Sequence, residues 1–327
     1  MRWPRIPGWA RTALRWAAAA AVLAACATWL VRHLDGAALA RALAGADYRL
    51  VALMAAGHLL LLLPLKAWRW ERLLAPVQRL PVTALYRYCL AGCAVSNLLP
   101  ARAGHAARVL LVRRDGVPVP SAVAGLVVEE IGNASVLGLL CLPLPYLLHL
   151  PGRVRATLAV VTGGAALCFG VLVWLALAAR RHRHGLVRRF SEGLAALGRG
   201  RPAALFFGLT VAMWVVDLGQ IALAMAAVRM TPSYAAVALV LLFVNLTNAV
   251  PATPGQVGLF EAGAAAACVA VGAPPEQGVA VGVLYHVMQL VPETVLGLVV
   301  LAHRAVGRAE LARAQVELAP APRDAAP

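Results

Sequence analysis

The sequence predicts an all-α integral membrane protein built as an inverted repeat of span, re-entrant hairpin and span. Two observations predict this fold, and the first is composition. Hydrophobic residues make up 61% of the 327-residue chain and charged residues only 13%, which leaves too little polar surface for a soluble globular domain. The apolar residues also occur in runs long enough to cross a bilayer. We expect about six full transmembrane helices and two re-entrant hairpins.

The second observation is a short polar signature that occurs twice within hydrophobic sequence. Residues 97–104 and 248–255 share the pattern Asn-x-x-Pro-Ala-x-x-Gly, and a Gly-x-Pro follows each copy, at 116–118 and 272–274. Secondary transporters form a substrate site near the bilayer midplane from Gly/Pro-interrupted apolar segments in matching places of two halves. Chance similarity in a chain rich in Ala, Leu, Val, Gly and Pro is the alternative.

The arginines between the apolar runs predict the orientation of the chain. Cytoplasmic loops accumulate Lys and Arg, so the N-terminus, the charges from Lys66 to Arg79, the cluster from Arg180 to Arg201 and the C-terminus are expected inside. The net charge of +16 therefore reflects membrane topology rather than binding to nucleic acid. We expect a multi-pass protein of the bacterial inner membrane. The predicted spans are residues 16–31, 50–65, 121–148, 156–179, 203–228 and 277–302.

The two signatures interrupt segments that are too short to cross the bilayer comfortably. The first hairpin begins with residues 84–99 and has cytoplasmic charges at both ends. The second, formed by residues 234–250 and 257–271, is expected to enter from outside. This gives three regions: residues 1–49 as an N-terminal helix and interfacial segment, 50–302 as the main transmembrane domain, and 303–327 as a cytoplasmic tail. Within the main domain, the two repeats are 50–148 and 203–302, joined by a connecting helix and basic loop at 156–202.

The breaks predict where a ligand binds. A helix that starts at depth presents unpaired N–H groups and a positive dipole end, which attract anions. Ionisable residues at depth in the neighbouring spans are functional candidates by default. In the first half the candidate substrate-binding residues are Asn97, Pro100, Arg102, Gly104, His105, Arg108, Glu129, Glu130 and Asn133. In the second half they are Asn248, Pro251, Pro254, Gly255, Glu261 and His286.

Roles follow from the chemistry of these side chains. Arg102 and Arg108 are expected to hold phosphate, while Glu129 or Glu130 and His286 couple protons or receive a cationic head group. The alternative is that Glu129 or Glu130 pairs with one of these arginines only to hold the bundle together. Asp217 and Gln220, close together on a later span, are weaker candidates that could equally join helices.

These residues resemble a known family. The run 97–104 with Arg108 and Glu129, the run 251–261 followed by Leu284-Tyr285, and the segment 67–70 look like the flippase-like family related to the transmembrane domain of lysylphosphatidylglycerol synthase. The resemblance spans about residues 50–301 and adds Tyr285 to the candidate site. It implies a helical domain that moves anionic or aminoacylated phospholipids, or isoprenoid-type lipids, between leaflets.

The chain is similar to small stand-alone members of that family, some of them associated with hopanoid biosynthesis, and the soluble transferase domain of larger members is expected to be absent. Several positions depart from the family pattern, which bears on the identity of the substrate. His105 stands where Glu is usual, Glu130 where Arg is common, Asn133 where Asp is frequent, Gln256 at a common Gly and His286 where Arg often occurs.

The leading hypothesis is therefore a non-enzymatic lipid translocase whose partners are membrane lipids, and possible further partners are lipid-biosynthesis enzymes. No nucleotide-binding loop, metal-binding motif or nucleophile elbow is present in the sequence, so no cofactor or metal is expected, and the six cysteines are expected to be reduced. Two alternatives remain open. One is an intramembrane lipid-modifying transferase that uses Glu129 or Glu130 with His105 or His286 as acid and base. The other is an accessory subunit of a lipid-synthesis complex that docks through the arginine loop at 180–201.

Overall fold

In a computed structural model of the chain, the structure describes residues 35–99, 103–148, 200–248 and 254–317, with isolated positions between 152 and 170. All regular structure in these residues is helical. The predicted span 16–31 lies outside the described residues, as do most of the predicted span 156–179 and most of the basic loop that follows it.

The chain enters the described region through a short helix and then a long one. Helix α1 (Gly36–Ala44) begins where the Asp35 carboxylate accepts a hydrogen bond of 2.8 Å from the Ala37 amide. The long helix consists of α2 (Tyr48–Gly57), a π-helix (His58–Leu62) and α3 (Leu63–Leu74). The sequence analysis ended this span near residue 65, whereas the helix continues to Leu74. Lys66 and Arg69 therefore belong to the helix and not to a loop.

The remaining helices follow the order that the sequence predicts. Pro81 and Pro118 each precede a helix, where a missing backbone N–H costs nothing. The bounds are α4 Val82–Leu98, α5 Ala103–Arg114, α6 Val119–Cys141, α7 Leu144–Leu147, α8 Gly200–Ala227, α9 Tyr234–Asn248, a 3₁₀ turn Pro254–Gln256, α10 Leu259–Ala270 and α11 Pro275–Glu317.

Four helical stretches of the described chain are long and apolar enough to cross a membrane: Tyr48–Leu74, Val119–Leu147, Arg201–Ala227 and Pro275–His303. They correspond to four of the six predicted spans. The apolar helices Tyr234–Thr247 and Leu259–Ala270 are shorter and lie where the second hairpin is predicted.

The Gly-x-Pro elements of the sequence repeat have the same local structure. Gly116 ends α5 with φ +90°, and Gly272 ends α10 with φ +85°. In both places the next residue donates its amide to the carbonyl five residues back, from Val117 to Val112 and from Ala273 to Cys268. This is the Schellman end of a helix. The two Gly-x-Pro elements therefore share the local structure of a helix end, which the chain also adopts after α8, where the Met230 amide donates to the Met225 carbonyl.

Helix α4 lies at the centre of the packing, in contact with α3, α5 and α11, and α10 packs between α9 and α11. We call α4 with α5 the first helix pair and α9 with α10 the second helix pair. In the first pair the backbones approach closely, because a Cβ atom added to Gly104 would lie 2.0 Å from the Gly92 carbonyl oxygen. Only glycine fits at that crossing.

Candidate functional site

The ends of the two helix pairs meet. Gly255, in the turn before α10, is buried and has φ +58°. A Cβ atom there would lie 3.3 Å from the Asn97 carbonyl oxygen and 2.9 Å from Leu290 Cδ1. The side-chain amide of Asn97 also donates a 2.9 Å hydrogen bond to Thr294 Oγ1 on α11. The first residue of one signature and the last residue of the other therefore lie side by side.

A buried carboxylate joins two arginines near this contact. Glu129 on α6 is 1% exposed and accepts hydrogen bonds of 3.3 and 2.9 Å from Arg108 on α5. Arg69 on α3, which is fully buried, places Nη2 3.2 Å from the same carboxylate. Charge pairs of this kind need further hydrogen bonds to offset the loss of hydration.

Other side chains complete this arginine–glutamate–arginine group. Arg69 Nη1 donates to Asn133 Oδ1 at 2.6 Å and to Thr210 Oγ1 at 3.0 Å. The Arg108 guanidinium stacks 4.0 Å above the Trp70 ring, a favourable cation–π arrangement. The group thus ties α3, α5, α6 and α8 together, and its charged members Arg69, Arg108 and Glu129 are buried.

Lys66 stands at the edge of this group. It is the sole lysine among the 30 basic residues of the chain and lies one helical turn before Arg69. Its side chain is half-buried and makes neither an ion pair nor a hydrogen bond with the described residues. It is within electrostatic range of Glu129 and Arg108, and also of Asp217 and Glu293. Lys66 therefore offers a cation that is not already paired.

A second polar cluster lies on the other side of Lys66. His58, in the π-helix and 2% exposed, places Nε2 2.9 Å from Glu293 Oε1 on α11. Tyr285 donates a 2.9 Å hydrogen bond to Asp217 on α8. His58 Nδ1 and the side-chain amide of Gln220 are among the buried polar groups that have no hydrogen-bond partner in the described part of the chain.

The second half contains another close contact between a carboxylate and a nitrogen side chain on two packed helices. Glu261 on α10 lies 2.7 Å from His286 Nδ1 on α11, and the Phe260 ring stacks on the imidazole at 4.3 Å. The other carboxylate oxygen of Glu261 accepts a 2.7 Å hydrogen bond from the Gly258 amide. The carboxylate thus satisfies an N–H at the start of α10, where the sequence analysis expected a guest anion.

The comparison with protein families agrees with the resemblance. The family described as Lysylphosphatidylglycerol synthase TM region matches residues 16–297. The chain belongs to this family. No curated protein matches it. Family membership, together with the four long apolar helices, makes the chain a multi-pass membrane protein of a lipid-related family.

The predicted site residues of this family member fall into several groups. Arg108, Glu129 and Asn133 lie in the enclosed group, so the contact between Arg108 and Glu129 that the sequence analysis held as an alternative is present. His105 and Glu130 form a separate, half-exposed pair at 3.8 Å. Glu261 and His286 form the pair in the second half.

Three predicted residues lie where helices cross: Asn97, Gly104 and Gly255. Tyr285 contacts Asp217, whereas its neighbour His286 contacts Glu261. Asn248 is the last residue of α9, and Pro254 is the first residue of the 3₁₀ turn. Pro100, Arg102 and Pro251 lie outside the described residues.

Lys66, Arg69 and His58 were not among the predicted site residues of this family member, although they lie at or beside the buried charges. The first two were predicted to be cytoplasmic charges at the end of a span, whereas both belong to α3 and Arg69 is fully buried. A signal was present, because Lys66, Arg69 and Trp70 have the i, i+3, i+4 spacing of a single helix face. His58 interrupts an apolar run, which by itself marks a candidate at membrane depth.

Proposed function

We propose that the chain is a lipid translocase, which moves an anionic phospholipid or an isoprenoid-type lipid between the leaflets of a bacterial cell membrane without altering it. One observation supports this more than any other. The ends of the two helix pairs meet at Asn97 and Gly255. Cys93 lies one helical turn before Asn97 on α4, and it is within electrostatic range of Lys66 and Glu293. An unpaired cation thus stands close to the contact between the two halves.

In this proposal both helix pairs are re-entrant and the two halves are inverted relative to each other. Helices α5 and α10 have 12 residues each, or about 18 Å at the rise of an α-helix. That length is well short of the roughly 30 Å of a bilayer core. Irregular backbone between helices is tolerated at depth only inside protein or beside a cavity, and the contact of the two ends provides such a place.

The head group would bind at Lys66. A lysine ammonium binds phosphate as a compact point charge, and Lys66 is free to do so because Glu129 pairs with the two arginines instead. Arg69 and Arg108 add positive potential behind it. We propose that rocking of one half against the other then opens the site to the opposite leaflet.

The test uses purified protein in phosphatidylglycerol vesicles that carry a fluorescent phosphatidylglycerol. Dithionite added outside quenches only the outer leaflet, so protein-dependent exchange appears as additional quenching. We expect Lys66→Ala to slow exchange at least tenfold, since it removes the unpaired cation.

The matched control is Arg87→Ala, which removes an exposed cation of α4 whose guanidinium bonds only the Thr83 carbonyl of its own helix. This variant should exchange lipid at the original rate. Equal rates for Lys66→Ala and the unmodified protein, both eluting as one symmetric species, would contradict the role of Lys66. Absence of exchange with the unmodified protein would contradict translocation, and a lipid of changed mass would indicate a transferase.

A further inference from the structure

The buried charges around Lys66 balance one another. Three cations face three carboxylates in this region, and the permanent arginine charges are shared with Glu129. These six groups are Lys66, Arg69, Arg108, Glu129, Asp217 and Glu293. The formal charges of these six described groups sum to zero.

An anionic head group at Lys66 would upset that balance. A buried charge without a partner is expensive, because the interior cannot replace its hydration. One further negative charge therefore favours any nearby group that can take up a proton. The other pairs in the vicinity, His105 with Glu130 and His286 with Glu261, already give each carboxylate its own imidazole.

The group best placed to respond is His58. Its Nε2 contacts Glu293, Asp217 is within electrostatic range, and its Nδ1 is buried without a partner. The remaining groups that face this cluster are Lys66 from α3, the Cys93 thiol from α4 towards Glu293, and the Tyr285 hydroxyl from α11 towards Asp217. His58 also begins a π-helix, a local distortion that is frequent at functional sites.

We propose that binding of an anionic head group at Lys66 is coupled to uptake of one proton by the His58–Glu293–Asp217 cluster, so that the protein carries a lipid anion and a proton together. This inference rests on the proposed function. The proton comes from water and protonates His58, which then faces two carboxylates as an imidazolium. The loaded site returns to zero net charge, and release of the lipid returns the proton.

Proton uptake can be counted directly. Dioctanoyl phosphatidylglycerol is titrated into the detergent-purified full chain by isothermal titration calorimetry at pH 7, in two buffers of different ionisation enthalpy. We expect the two heats to differ by the amount that corresponds to about one proton taken up per lipid bound. Because protons are taken up on binding, the affinity should rise as the pH falls, by up to about tenfold per unit.

Variants locate the proton. His58→Gln keeps a hydrogen-bonding side chain towards Glu293 but cannot titrate, so it should bind lipid with almost no proton uptake. His303→Gln, which replaces an exposed histidine on the same helix as Glu293, should take up as many protons as the unmodified protein. Full proton uptake by His58→Gln would overturn the assignment.

The two proposals fail differently. Equal heats in the two buffers, with lipid bound, would overturn proton coupling and leave the translocase proposal intact. Failure of phosphatidylglycerol to bind at any pH would overturn both. If His58→Gln does not fold, the comparison of buffers with the unmodified protein still decides, and Glu293→Gln replaces it as the variant.

Discussion

A single carboxylate holds two buried arginines in this protein, and the arrangement resists simple replacement. A buried ion pair adds little net stability compared with an apolar pair, but loss of one partner leaves an uncompensated charge. Glu129 serves both Arg69 and Arg108, so its removal affects two guanidiniums at once. Its neighbour Glu130 is less enclosed, with 43% of its side chain exposed.

These two adjacent glutamates give a direct comparison of buried and exposed charge. We expect Glu129→Gln to lower the free energy of unfolding by about 3–5 kcal/mol, the usual cost of breaking a buried pair. Glu130→Gln should change it by about 1 kcal/mol or less. Thermal unfolding of both variants in detergent measures the difference. Similar small effects would mean that water reaches Arg69 and Arg108.

At the scale of residues, the sequence predicted which side chains belong to the buried charged group better than it predicted which of them contact each other. Glu129 and Arg108 were identified from depth and charge, and their pairing was one of two stated possibilities. Arg69 was misassigned because a count of charges at the end of a span treats them all as loop residues, whereas a helix of 27 residues leaves room for a charge inside. Which carboxylate an arginine contacts depends on how the helices pack. Local sequence patterns in a single chain do not specify that packing.

Helices α4 and α5 of the first pair approach closely because Gly92 and Gly104, which have no side chains, face each other at their crossing. The close approach of Gly104 to Gly92 brings two backbones into contact, and a methyl group cannot be accommodated at 2.0 Å without separating them. Overpacking of this kind costs about 1–3 kcal/mol. The pairing of α4 with α5 therefore depends on glycine at that crossing.

A pair of glycine substitutions tests this contact. Gly104→Ala should destabilise the protein by about 1–3 kcal/mol. Gly219→Ala, in the open on α8 with no atom within 4 Å of the added methyl, should stabilise it by up to about 1 kcal/mol through helix propensity. Opposite shifts of the unfolding midpoint are the expected result. Stabilisation by both substitutions would show that α4 and α5 are further apart.

Helix positions were largely predictable, because the signals are local. The Gly-x-Pro elements noted in the sequence lie at the ends of α5 and α10, and the short apolar helices occur at the second signature. The π-helix was not predicted, since His58–Leu62 is a uniform run of leucines after a histidine that fits any helix. The end of α3 was misplaced for a different reason, because the first charged residue was taken as the end of the helix.

The whole molecule is a multi-pass membrane protein whose proposed two-fold pseudo-symmetry makes a clear demand on topology. If the helix pairs enter from opposite sides, the residue before α4 and the residue before α9 must face different compartments. Arg79, three residues before α4, and Ser233, directly before α9, are both exposed. The positive-inside rule predicts that Arg79 faces the cytoplasm.

Cysteine labelling tests the inversion. In a cysteine-free background, a membrane-impermeant maleimide applied to vesicles of one orientation should label Arg79→Cys from one side and Ser233→Cys from the other. Leu99→Cys, at the end of α4, should resist the reagent from both sides because a re-entrant tip stops at depth. Labelling of Leu99→Cys from the side opposite to Arg79→Cys would show that the first pair spans the bilayer.

The extra residue in the π turn decides which way the first long helix faces. A π turn holds one residue more than an α turn, so everything after Leu62 is rotated by about 100° about the axis relative to an unbroken α-helix. A single helical wheel drawn for residues 48–74 consequently misplaces half of its members. Without that inserted residue, the stripe of Lys66, Arg69 and Trp70 would point away from Glu129, and Lys66, to which we assign head-group binding, would leave this part of the interior.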